Sequence, residues 1–97
     1  MYSVYFLRSE KNGMIYVGVT EKEVLVRLHE HNAGTTEWTR NHRPLVIAYY
    51  EQHVCKQDAY AREAFYKTGF GRKVRDGILL AVSAKGGPAS GGGSASR

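Results

Sequence analysis

Two short apolar runs separated by a turn constrain this chain most. Residues 2–8 (YSVYFLR) alternate as a strand does, with Tyr2, Val4 and Phe6 on one face and Ser3, Tyr5 and Leu7 on the other. Residues 9–13 (SEKNG) carry a turn signal, and Met14 to Val19 reads as a second strand, so the pair predicts an antiparallel hairpin. In the second strand Ile15, Val17 and Val19 share a face, whereas Tyr16 and Gly18 share the other. A strand that only packs has no use for a glycine between two valines. The tyrosine and glycine face is therefore wanted for something besides burial.

Thr20 followed by Glu23 has the spacing of a capping box, which predicts a helix starting there. Val24 and Leu28 form its apolar stripe with Leu25 beside it, Gly34 is a stop, and Arg27 and His31 lie at i and i+4 along one edge. Residues 34–43 (GTTEWTRNHR) are polar and end at Pro44, which predicts an ordered loop; residues 45–51 (LVIAYYE) predict a third strand buried on both faces. Asp58 is placed to cap a second helix from Ala59 to about Thr68, with Gly69 and Gly71 ending it and Glu63 at its middle. Residues 74–82 fit either a strand or a last helix, since Gly77 weakens a helix by about 1 kcal/mol. From Gly86 the chain is almost wholly Gly, Ser, Ala and Pro, with nothing to bury. The expected organisation is one α/β (α+β) domain over residues 1–84, a small three-stranded antiparallel sheet flanked by helices, and a flexible tail over 85–97.

At 97 residues, 42% of them hydrophobic, the chain has room for one modest core. The single cysteine, Cys55, cannot form an internal disulfide and nothing resembles a paired-thiolate metal site, which suits a reducing compartment. No apolar run approaches the ~20 residues that span a bilayer, and no leader pattern precedes the first strand. The expected address is the cytoplasm, or the nucleus in a eukaryote, with no membrane partner. Fourteen Lys and Arg against nine Asp and Glu give a net charge of +5, which makes a polyanion the first partner to consider.

Val4-Tyr5, Tyr16-Val17-Gly18, Arg27, His31 and Glu63, in this order and spacing, resemble the GIY-YIG nuclease domain. HNAG at His31 to Gly34, RPL at Arg43 to Leu45 and AREAFYKTGFGR at Ala61 to Arg72 look most like its small stand-alone members. The resemblance runs from Tyr2 to about Lys73. Ser3-Val4-Tyr5 stands where Gly-Ile-Tyr would be, and Val19 stands where several members carry a lysine or another polar residue, so His31 becomes the expected substitute in any proton relay.

The resemblance implies a metal-dependent endonuclease that hydrolyses DNA phosphodiester bonds, structure-directed and used in repair or recombination. Such a reaction needs an activated water, neutralised phosphoryl charge and help for the leaving oxygen. Tyr5 is implied to help activate the water; a phenol with a pKa near 10 needs neighbours such as Arg27 and His31 to stabilise its phenolate. Arg27 is implied to bind the scissile phosphate, Tyr16 to orient water or phosphate, and Glu63 to hold Mg2+ or Mn2+ as its one protein ligand. Gly18 is expected to let the phosphate backbone approach the strand. Arg40, Arg43, Lys67, Arg72, Lys73 and Arg75 are read as phosphate-tracking groups, and Trp38 or Thr39 as sugar or base contacts. RNA remains an open substrate. Two rivals stand beside the enzyme: a nucleic-acid-binding module that has lost turnover, and an interaction subunit recruiting a larger protein complex.

Overall fold

A computed structural model describes residues Met1–Ala84. Its elements, in chain order, are β1 (Tyr2–Ser9), β2 (Ile15–Thr20), α1 (Val24–Asn32), α2 (Glu37–His42), β3 (Leu45–His53), α3 (Lys56–Tyr66) and α4 (Gly69–Ala84). The chain divides into two compact units, Met1–Ala64 and Phe65 onward. The predicted tail over 85–97 lies outside the described residues.

In the first unit the sheet order is β2-β1-β3, with both pairings antiparallel. The hairpin is closed by Ser9, whose backbone pairs with Met14 and Gly13, and by Gly13 itself, whose φ of 78° an L side chain would resist. Ser9 Oγ accepts from the amides of Lys11 and Asn12 and donates to the carbonyl of His42 at 2.6 Å, which ties the turn to the end of α2. The other anchor is Asn32, which accepts from the amide of Leu45 at 2.8 Å and donates to its carbonyl at 3.0 Å. One side chain thereby satisfies both backbone groups at the start of β3 and docks the end of α1 there.

Several expectations are corrected. The strand buried on both faces is β1, not β3, because β1 is central: Val4, Tyr5, Phe6 and Leu7 are all buried, while β3 lies at the edge and alternates. Thr20 does not cap a helix. Its Oγ1 accepts from Lys22 N while still in the strand, and α1 begins at Val24 after Glu23, with no side-chain cap bond. The stretch taken for a loop contains α2, capped by Thr36, whose Oγ1 accepts from Thr39 N. On the sheet face opposite α1, Glu51 of β3 accepts from Tyr49 Oη at 2.9 Å, His53 Nε2 at 2.8 Å and Arg62 Nε at 3.0 Å. The last of these pins α3 to the sheet one residue before Glu63. The helix itself starts at Lys56, so Asp58 sits in its first turn instead of capping it.

In the second unit Thr68 Oγ1 donates to the carbonyl of Phe65 at 2.7 Å and accepts from Gly71 N at 2.9 Å, turning the chain into α4. The ambiguous segment 74–82 is helical, within α4. Gly71 is required sterically, since a Cβ there would stand 1.6 Å from the carbonyl oxygen of Phe65, whereas one at Gly69 would meet nothing. Gly71→Ala is expected to destabilise the protein by about 1–3 kcal/mol and Gly69→Ala by nothing or less than nothing, as read from chemical denaturation midpoints.

Candidate active site

The site is built on the face of β1 that carries Tyr5 and Leu7. The β1–β2 register sets Tyr5 opposite Gly18 and Leu7 opposite Tyr16, so the four share that face. α1 covers it: Tyr5, Leu7, Val24 and Leu45 form a buried cluster, with Tyr16, Leu28, Trp38 and Ile47 packed around it. Because Arg27 and His31 are one turn apart, both reach the same phenol. Tyr5 Oη lies 2.8 Å from His31 Nε2, and Arg27 is near enough to the Tyr5 hydroxyl to favour its ionised form. The ring of Tyr16 meets His31 edge-on at 4.9 Å and lies 6.3 Å from that of Tyr5.

Gly18 has a purpose different from the one expected of it. A Cβ there would stand 2.6 Å from the Tyr5 hydroxyl oxygen and 3.0 Å from Cε2 of Tyr16. The missing side chain makes room for the phenol itself, folded across the neighbouring strand. Val19 pairs with Val4, on the sheet face away from Tyr5, Tyr16 and Gly18.

Burial sets the electrostatics. Tyr5 and His31 are 1% and 0% exposed. Loss of solvent pushes the Tyr5 hydroxyl up to about 12, against the opposing pull of Arg27. Burial, with the Arg27 charge second, brings His31 down to about 4. At neutral pH both groups are therefore uncharged, so of the two neighbours expected to stabilise a phenolate Arg27 is the cation and His31 can act only through its hydrogen bond. His31 Nδ1 is buried and has no partner among the described residues. Either tautomer leaves one hydrogen of the pair without an acceptor among the described residues: the phenol O–H when Nε2 carries the proton, or Nδ1–H when the phenol donates to Nε2.

Arg27 is shared. Its Nη1 donates to Glu30 Oε1 at 2.8 Å, and Lys22 holds the other oxygen of Glu30. Glu30 and Lys22 were not singled out in the sequence; the i, i+3 spacing of Arg27 and Glu30 was the available signal. Glu63 is half-buried on α3, and its charge is the least of the influences on the Tyr5 hydroxyl, acting to raise its pKa. Among the described residues no three His, Cys, Asp or Glu side chains gather to hold a metal ion. A single carboxylate fits a cation that keeps most of its water and takes its other ligands from phosphate.

Of the more diffuse residues, Thr39 is fully buried and its Oγ1 bonds to Thr36, so it supports α2 and is not a surface contact. Arg40 and Arg43 are exposed in the first unit, and Lys67, Arg72 and Lys73 in the second. A cleft of about 480 Å3 beside the start of α1 is lined by Ser3, Lys22, Val24, Ile47, Tyr50 and Gln52 among others, and by none of the five site residues. Among the described residues no helix is long and apolar enough to cross a membrane.

A three-stranded sheet with two strand tyrosines facing an arginine and a histidine one helical turn apart, and a glutamate on a later helix, is the arrangement of a GIY-YIG domain. The family model for the GIY-YIG catalytic domain matches residues 1–75, and the chain belongs to that family. It is similar to a UPF0213 protein of Streptococcus sanguinis (strain SK36), 37% identical over 72 residues that cover 73% of this chain and 77% of the relative. A UPF0213 protein of Staphylococcus haemolyticus (strain JCSC1435) is 36% identical over 66 residues, 67% of this chain and 78% of that one. No solved structure matches. Membership of the family supports a nuclease-type function.

The depressed pKa of His31 has a thermodynamic consequence. Between its unfolded value near 6.5 and about 4 the unfolded chain binds a proton that the folded one refuses, so stability falls as pH drops through that window and is full above it. The expected loss is about 3 kcal/mol from this group, read as the difference between wild type and His31→Gln in denaturant unfolding at pH 7 and pH 4.

Proposed function

We propose that this chain is a metal-dependent endonuclease that hydrolyses DNA phosphodiester bonds, acting by DNA structure in repair or recombination in the cytoplasm, with residues 1–84 as the nuclease domain. The observation that carries the reading is the Tyr5 hydroxyl: buried, hydrogen-bonded to His31 Nε2 at 2.8 Å, with Arg27 favouring its ionised form and the Glu63 charge opposing it. A structural tyrosine needs one partner for its hydroxyl; this one has that partner and also feels a neighbouring guanidinium, both at positions that the family pattern marks.

In this reading Tyr5 is the general base. Its ionised form takes a proton from the attacking water as the water oxygen bonds to phosphorus and the bond to the 3′ oxygen breaks. His31 Nε2–H and the Arg27 guanidinium stabilise the phenolate as an oxyanion hole stabilises its alkoxide. Arg27 presents its planar fork to a nonbridging phosphate oxygen, and Glu30 holds that fork in plane until substrate arrives. Tyr16 orients the water or the phosphate. Glu63 would hold Mg2+ or Mn2+, which when bound neutralises and polarises the phosphoryl group. Arg40, Arg43, Lys67, Arg72 and Lys73 track the flanking backbone.

Wild type is expected to cleave branched, single-stranded or supercoiled DNA in Mg2+. Glu63→Ala and Tyr5→Phe are each expected to cut the rate by about 10²–10⁴-fold with DNA retained in a gel-shift assay. Equal cleavage by wild type and both variants would remove the proposal, and salt-dependent binding without cleavage would favour a binding module. Because the active form of Tyr5 is the phenolate and its pKa is raised, kcat/KM is expected to climb about tenfold per pH unit from pH 6 to 9, a slope absent from any residual activity of Tyr5→Phe.

A further inference from the structure

The rings around the site continue beyond it. Tyr16 lies 5.3 Å from Trp38, and Trp38 stacks on His42 at 4.0 Å with the planes 23° apart. His42 is half-exposed, with one face on Trp38 and no other ring among the described residues against it. Its orientation is fixed. Asn12 Oδ1 is occupied by the amide of Met14, so the Asn12 amide nitrogen faces His42 and donates to Nδ1 at 2.9 Å, leaving the proton on Nε2.

Three cations stand on or beside α2, each tethered by one donor to a backbone carbonyl: Lys11 to Asn41 at 3.3 Å, Arg40 to Gly34 at 3.1 Å and Arg43 to Asn32 at 3.3 Å. All three are exposed, and none has a carboxylate partner among the described residues. Core packing explains Trp38 against Tyr16, but it does not explain a pinned, half-exposed ring at the end of a stack, on a helix flanked by cations that have no carboxylate partner.

We infer that α2 carries a subsite for one unpaired nucleobase of a single-stranded or flipped-out nucleotide next to the scissile phosphate. The base extends the Tyr16–Trp38–His42 ladder on the outer face of His42, and Lys11, Arg40 and Arg43 contact the phosphates on either side. A base inside a duplex has both faces covered by its neighbours and cannot add to the ladder, so the subsite selects unpaired nucleic acid. Because the rings and cations are held before binding, little ordering cost attends it. The inference rests on the nuclease reading for its position beside a scissile bond, and not for its binding chemistry.

Trp38 is the only tryptophan of the chain, so its fluorescence reports on the ladder directly. The full chain, in EDTA, is titrated with a decamer of thymidylate, the same decamer made of abasic residues, and a duplex. Thymidylate is expected to quench Trp38 and to bind about tenfold tighter than the abasic strand, and the duplex to leave the emission unchanged. His42→Ala should remove that preference without weakening abasic binding, and His42→Phe should keep it. Equal affinity for thymidylate and abasic strands would overturn the inference, as would His42→Ala weakening both equally, which would mean the ladder only supports Tyr16. Since no metal or cleavage enters the assay, its failure is distinct from failure of the nuclease reading.

Discussion

Everything at the site depends on one hydrogen bond in the core, between the phenol of Tyr5 on β1 and the imidazole of His31 on α1. Two polar rings have been taken almost wholly out of water, and an unpaired buried polar group costs about 1–3 kcal/mol. Each ring therefore needs the other, and their pairing fixes where α1 sits on the sheet. The rest of the first unit serves that fit. Gly18 gives up its side chain so that the phenol has space, and Asn32, next to His31, fastens the end of α1 to the start of β3. The same burial that makes the pair necessary leaves both rings neutral at rest. In the proposed reading a phosphate bound at Arg27 would offset the charge that lowers His31, and a cation held by Glu63 would offset the charge that raises Tyr5.

The hairpin and the order of its unusual residues were legible because strand periodicity is local, and the family was legible because the order and spacing of Tyr5, Tyr16, Arg27, His31 and Glu63 match a known pattern. What was missed depended on contacts far apart in sequence. Thr20 and Glu23 have the spacing of a capping box, but Thr20 is the last residue of a strand whose pairing with Ser3 outlasts the local signal. β3 is as apolar as a buried strand at residues 45–50, yet it lies at the edge because β1 takes the centre. α2 is six residues long, too short for apolar periodicity, and only Thr36 three residues before Thr39 hinted at its cap.

The site shows the same division. That Tyr5, Tyr16 and His31 meet could be read from their order; what they do to one another could not. Arg27 and His31 were expected to stabilise the charge of Tyr5, whereas the geometry supplies one hydrogen bond, a nearby guanidinium and also the burial that opposes them. Gly18 was assigned to substrate because a glycine beside a tyrosine leaves space, and nothing local said that the tyrosine of the adjacent strand fills it. Glu51 and Arg62 belong to neither motif, yet their ion pair at 3.0 Å holds the helix that carries Glu63.

The claim that phenol and imidazole act as a single unit is tested most directly by a double-mutant cycle on DNA cleavage in Mg2+, using Tyr5→Phe, His31→Gln and the double variant. If the two rings work through their shared hydrogen bond, the double variant is no slower than the worse single one, because the first substitution already removes what the second would. Losses in kcat/KM that multiply would mean that the two side chains act independently, and would contradict the account.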